Sequence, residues 1–161
     1  MKIAFYKGDN ILDDLVIFFS RGGYSHCCVV LNDGSIIEAK PFTSVRWCKS
    51  MTEKLECNSK IDIFEVVTNS EQDKIIEDFL KKQLGKKYDY LSVIGFVLYD
   101  TNEGRKKYGK WFCSELVFAA FQKAGIDLLK RIDAWKVSPT ILSYNNVMTL
   151  SDSISFRYQQ Q

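Results

Sequence analysis

Residues 26–39 constrain the fold most. The run HCCVVL (26–31) is followed by Asn32-Asp33-Gly34 and then by SIIEA (35–39). Two apolar, β-rich runs on either side of an Asp-Gly signal read as a β-hairpin. A hairpin commits the chain to antiparallel pairing, and the side-chain period of two commits each residue to one face of the sheet. Residues 3–6 (IAFY), 45–47 and 61–67 (IDIFEVV) read as further strands, the last alternating apolar and acidic side chains.

Helical spacing appears in three places. Ile11, Leu12, Leu15, Val16, Phe18 and Phe19 fall at roughly helical intervals, and Arg21-Gly22-Gly23 ends that segment. A second helix is expected from Ser70, with Asp73 three residues on. It carries Ile75, Ile76, Phe79, Leu80 and Leu84 on one stripe and stops at Gly85. Cys113–Ala124 is the clearest helix, with Leu116, Val117, Ala120 and Phe121 inward and Gly125 at its end. Residues 86–110 read as mostly irregular, the tail beyond Pro139 as peripheral strand or loop, and 159–161 as frayed. Strands early and the best helix late favour α+β over alternating βαβ, in a single domain spanning 1–161.

Composition removes several classes of function. The chain has 161 residues, 46% of them apolar, which excludes disordered, collagen-like and coiled-coil chains. Lys plus Arg is 22 against 20 acidic residues, so nothing in the charge points to nucleic acid. No window approaches the roughly 18 apolar residues of a spanning helix, and Lys7, Asp9, Asp13 and Asp14 interrupt any signal-peptide core. A cytoplasmic location without an integral membrane segment is therefore expected. Five cysteines without a CxxC pair fit free thiols, and a single histidine argues against a structural metal. No cofactor is expected, and oligomeric state is not legible.

Three residues stand out chemically. Cys113 opens a strong helix, where the positive end of the helix dipole favours thiolate over thiol, and its first-turn N–H is available to an oxyanion. His26 is the only histidine, hence the only imidazole that could serve a thiol nucleophile as base. Glu38 and His26 lie six positions either side of Asn32, which places them side by side across the hairpin. A carboxylate there would hold the imidazole's tautomer and stabilise its cation. The competing reading is bland: a packing cysteine between Phe112 and Leu116, a lone histidine and a solvated strand Glu.

The pieces Gly8-Asp9-Asn10-Ile11, Tyr24-Ser25-His26, Asn32 to Ala39 and Trp111 to Val117 (WFCSELV) resemble the circularly permuted branch of the NlpC-type, papain-like superfamily, of which YiiX-like proteins are examples. In that branch histidine precedes cysteine. The resemblance covers roughly residues 8–145, including Ser138-Pro139, and Leu84 to Tyr90 is similar to a further box of the family. It implies a papain-like α+β fold, an antiparallel sheet packed against helices with the nucleophile at a helix N-terminus. It also implies Cys113 as nucleophile, His26 as general base, Glu38 as the orienting third residue and Tyr88 as an oxyanion aid. Two departures stand out: Cys28 occupies a position where the family has glycine or a small apolar residue, and Asp100 to Lys110 match no family signature.

The expected function is a cysteine hydrolase, a peptidase or amidase working through a thioester on a peptide, amide or acyl substrate. Peptidoglycan stem peptides are the usual substrate of the ordinary relatives, and reaching them would require lysis, injection or a specialised secretion route. Two alternatives come from other classes. One is a lipid acyltransferase or thioesterase of the lecithin:retinol acyltransferase-like type, with residues 91–99 lining an acyl pocket. The other is a catalytically inactive binding module.

Overall fold

The computed structural model describes residues 1–7, 23–41, 43–51, 60–89, 109–130 and 132–155. In chain order these form β1 (Lys2–Lys7), β2 (His26–Val30), β3 (Ile36–Ala39), β4 (Val45–Cys48), β5 (Lys60–Val66), α1 (Ser70–Lys81), α2 (Cys113–Lys123), a 3-10 turn (Ala134–Lys136), α3 (Pro139–Ser143) and β6 (Met148–Ser155). The strands make one six-stranded sheet in the order β4-β3-β2-β1-β5-β6, every neighbouring pair antiparallel. This is an α+β architecture. The expected helix over 11–20, the apolar run 91–99 and most of the charged segment 100–110 lie outside the described residues.

The central strand, β1, explains the layering. Its sequence KIAFYK puts charges at both ends and four buried residues between them, as a strand covered on both faces requires. Ile3 and Phe5 face one core with Cys27, Val29, Ile37, Leu80, Leu116 and Phe121. Ala4 and Tyr6 face the other, with Cys28, Val30, Ile36, Cys48, Ile61 and Ile63. Helices α1 and α2 cover the first face, with Ile76, Leu80, Leu116 and Phe118 fully buried. Removing such a side chain, as in Leu116→Ala, is expected to cost about 2–5 kcal/mol because the site cannot collapse around the void.

The hairpin is where expected, but its register differs. Val29 pairs with Ile37 and Val30 with Ile36, so the turn is centred on Asp33 rather than Asn32. The cause is local. Leu31 N–H donates to Ser35 O at 2.8 Å, Gly34 N–H to Leu31 O at 3.0 Å, and Gly34 sits at φ 83°. That is a three-residue loop whose last residue needs the left-handed conformation glycine adopts freely. Asp33 steadies it, accepting from Ser35 N–H at 2.9 Å and from its hydroxyl at 2.6 Å. Continuing the register puts Glu38 opposite Cys28 and diagonal to His26. A displacement of two residues leaves both side chains on the same face, where a displacement of one would have separated them.

Three other expectations change. The cap of α1 is Asn69, not Ser70: Gln72 N–H donates to Asn69 Oδ1 at 2.9 Å, and Asn69 N–H to Gln72 Oε1 at 3.1 Å. The reciprocal pair satisfies two N–H groups at once, which a Ser70–Asp73 pair does not do here. The helix also ends at Lys81, and Gly85, at φ 80°, closes the turn after it. Finally, Pro139 starts α3, capped by Ser138 Oγ accepting from Ile141 N–H at 3.2 Å, because proline suits the first helical position. Beyond it β6 pairs with β5 along its length, so the tail supplies an edge strand of the main sheet.

Candidate active site

The approach to Cys113 is held from several sides. Tyr88 and Trp111 form a parallel bridge, Asp89 N–H donates to Trp111 O at 3.0 Å, and Trp111 N–H to Lys87 O at 3.1 Å. The Trp111 indole N–H donates to Gln83 Oε1 at 3.1 Å and its ring packs edge-on against Phe79 at 5.8 Å. Phe112 then caps α2 in an extended conformation, so Cys113 is the first helical residue. Leu116 N–H bonds Phe112 O at 3.0 Å, the first turn-closing bond, which leaves the earlier N–H groups without intrahelical acceptors. On the far side of the helix the buried Ser114 hydroxyl donates to Val137 O.

His26 is positioned by the strand it opens and by the residues just before it. Ser25 N–H and hydroxyl both donate to Tyr6 O, at 2.8 and 3.2 Å. Thr140 Oγ1 accepts from Tyr24 N–H at 3.2 Å and donates to Tyr24 O at 3.3 Å, tying that segment to α3. The His26 ring lies 5.6 Å from the Tyr6 ring. Its Nε2 meets Glu38 Oε2 at 2.6 Å, and Glu38 is 0% exposed. The His26 side chain also hydrogen-bonds Cys113.

The structure thus brings Cys113, His26 and Glu38 into one chain of contacts. Cys113 is fully buried. Burial pushes its thiol up, but a hydrogen bond from the Cys27 side chain, the charge and hydrogen bond of His26, and the Cys27 backbone outweigh it. The result lies well below the ordinary thiol value. Such an arrangement favours a thiolate–imidazolium pair over a neutral thiol and imidazole. Tyr88 is adjacent: it is 4% exposed and its ring packs on Phe112 at 5.8 Å, against the residue preceding Cys113.

Three residues escaped the sequence. Arg46 Nε donates to Glu38 Oε1 at 2.8 Å, directly across the β3–β4 pair. Its signal was the strand at 45–47, unreadable without the register. Cys27, which looked like a small packing residue, is a hydrogen-bond partner of Cys113. Glu115 reaches back to Phe112 N–H at 3.4 Å; burial and the neighbouring Asp89 charge push its carboxyl up to about 7 despite that bond. The spacing of Glu115 from the helix start was visible, but its burial was not. Cys28, the departure from the family pattern, packs with Tyr6, Val30 and Ile36, its sulfur 3.5 Å from the Tyr6 hydroxyl.

Neither the protein-family models nor the curated proteins contain a match to this chain. Among solved structures it is similar to the crystal structure of the metalloprotein yiiX from Escherichia coli O157:H7. The TM-score is 0.63 and the identity 16%, over 98% of this chain and 97% of that one. The chain has the yiiX fold. At that identity the likeness concerns architecture. Although yiiX is described as a metalloprotein, no group of three or more His, Cys, Asp or Glu among the described residues here is placed to hold a metal ion. No described helix is long and apolar enough to cross a membrane.

Proposed function

We propose that this chain is a papain-like cysteine hydrolase of the permuted NlpC type, acting on an amide through a Cys113–His26–Glu38 triad. One observation carries the reading. The only imidazole in the chain is hydrogen-bonded on one side to a fully buried carboxylate and on the other to a buried thiol that opens a helix. A packing cysteine needs no such partners.

The chemistry follows from the geometry. Cys113 thiolate attacks the carbonyl carbon and forms a tetrahedral oxyanion. The Cys113 N–H at the open end of α2, where the helix dipole is positive, suits that oxyanion as a donor. Tyr88, beside Phe112, is the second candidate for this role. The oxyanion collapses, the C–N bond breaks, and imidazolium His26 gives its proton to the departing amine. Neutral His26 then takes a proton from water, hydroxide attacks the thioester, and the acid product leaves with Cys113 restored as thiolate and His26 as imidazolium. Throughout, Glu38 keeps Nε2 protonated, so that Nδ1 is the nitrogen that exchanges protons with sulfur and substrate.

The test is the pH profile of Cys113 alkylation by iodoacetamide, mapped by peptide mass across all five cysteines. Labelling of Cys113 well below pH 8 in the wild type, lost in His26→Ala, is the expected outcome. A screen of peptide amides and acyl esters on the same samples then separates amidase from acyl transfer. Labelling with an ordinary thiol midpoint of about 8.5 would overturn the reading in favour of a binding module.

A further inference from the structure

We infer that Arg46 is a positioning residue of this site, acting on the thiol through Glu38 and His26. The inference rests on the thiol-hydrolase reading and deepens it. Glu38 is fully buried, a costly place for a carboxylate unless each oxygen is paired. Its two oxygens are divided: Oε2 takes His26 Nε2 at 2.6 Å and Oε1 takes Arg46 Nε at 2.8 Å. Arg46 lies directly opposite Glu38 in the β3–β4 register, so the contact is set by strand pairing rather than by a chance rotamer. Its side chain is 35% exposed, which lets the guanidinium keep water on its outer side while its Nε–H enters the buried carboxylate.

Two consequences follow for the chemistry. The guanidinium is a permanent charge, so it holds Glu38 ionised at pH values where a buried carboxyl with the imidazole alone would begin to protonate. It also fixes the carboxylate plane, since an oxygen anchored at one end cannot swing away from the imidazole at the other. A protonated or rotated Glu38 no longer stabilises imidazolium His26, and the thiolate that depends on that imidazolium is lost with it. Arg46 therefore extends the pH range over which Cys113 is reactive toward the acid side.

The experiment compares Cys113 alkylation from pH 4 to 9 in wild type, Arg46→Met, Arg46→Lys, Glu38→Gln and the Glu38→Gln/Arg46→Met double variant. In Arg46→Met the acid limb is expected to move up by about one pH unit, so that at pH values well below the wild-type midpoint the rate falls about tenfold. Arg46→Lys, which keeps the charge but not the placed Nε–H, is expected to recover part of that loss. The double variant should match Glu38→Gln alone, because Arg46 has nothing to act through once the carboxylate is gone. His26 is the only histidine, so its ring nitrogens give unassisted nuclear magnetic resonance signals. Arg46→Met should lower the share of the Nε2–H tautomer. If Arg46→Met does not fold, Arg46→Gln, neutral and suited to a half-exposed strand position, carries the same expectations. A profile superimposable on an activated wild type would overturn the Arg46 role alone, as would losses that multiply in the double variant. An unactivated thiol in the wild type would overturn the hydrolase reading and this role together.

Discussion

Two carboxylates in this sheet are nearly mirror images in placement and opposite in character. Glu38 lies on β3, one strand in from the β4 edge, and Asp62 on β5, one strand in from the β6 edge. Each is buried, and each meets a donor directly opposite on the edge strand, Arg46 for Glu38 and Ser153 for Asp62. They lie on opposite faces: Glu38 shares the face of Ile36, and Asp62, opposite Phe5, faces the helices. Asp62 is surrounded by hydroxyls, accepting from Tyr24 at 2.6 Å and from Ser153, with Lys60 Nζ at 3.4 Å. Burial pushes the Asp62 carboxyl up, yet Ser153, Tyr24 and Lys60 together hold it below the ordinary value, while burial and then the contact with Asp62 drive the Tyr24 phenol up. Asp62 has no partner among these that titrates near neutrality. Glu38 has one, the imidazole, which in turn touches a thiol. Burial alone therefore does not set the two carboxylates apart; the second link in the chain of contacts does.

The contrast can be broken from its catalytic side first. Cys113→Ala or His26→Ala is expected to reduce thiol-dependent turnover to background with an unchanged circular dichroism spectrum, and full activity in either would end the mechanism. Glu38→Gln comes next, with a loss of roughly 10- to 100-fold in kcat/KM, because an amide cannot stabilise imidazolium. Steady-state kinetics against pH would reveal it, with the deficit concentrated on the acid limb.

Asp62→Asn should do the reverse, lowering stability by about 1–3 kcal/mol through lost hydrogen bonds while leaving Cys113 alkylation intact. The pH dependence has a definite sign. The folded carboxyl is held below its ordinary 3.8, so its contribution is complete above that pH and vanishes as pH falls through the folded value. Urea melts of the two proteins should thus differ at pH 7 and converge well below pH 4. A loss of thiol reactivity in Asp62→Asn would erase the distinction between the two acids.

Glu115 sharpens the comparison as a third case, a carboxyl that accepts from the Phe112 backbone N–H. Raised from 4.5 to about 7, it is easier to ionise in the unfolded chain than in the fold. Stability is therefore lost as pH rises from 4.5 to 7, and the deficit is complete above that range. Glu115→Gln keeps an acceptor for Phe112 N–H and removes the charge. It should raise stability at pH 8 by roughly 1–2 kcal/mol, allowing for partial solvent access, and change little at pH 4.

Much of the site was readable one element at a time. The Asp-Gly turn, the helix start at Cys113 and the uniqueness of His26 are local features, decided within a few residues. The chain of contacts was less accessible. His26 and Glu38 were expected to be directly opposite and are diagonal, because the loop takes three residues and recentres the pairing on Asp33. They meet all the same, since the period of two preserved their face. Arg46 depended on the β3–β4 register, and the tail beyond Pro139, which reads as peripheral strand or loop, begins with a short helix before it reaches the edge strand.

The sequence by itself therefore determined an antiparallel α+β chain with one cysteine at the mouth of its strongest helix and a single imidazole. Turn chemistry, side-chain period and helix spacing act over short stretches and leave marks in the residues themselves. Only the tertiary structure decided that Cys27 borders the thiol, that Glu38 is buried between an imidazole and a guanidinium, and that Asp62 is held by hydroxyls and a lysine instead. Those outcomes depend on which side chains the assembled sheet and helices exclude from solvent. A carboxylate's character follows from the donors that remain within 3 Å once water has gone.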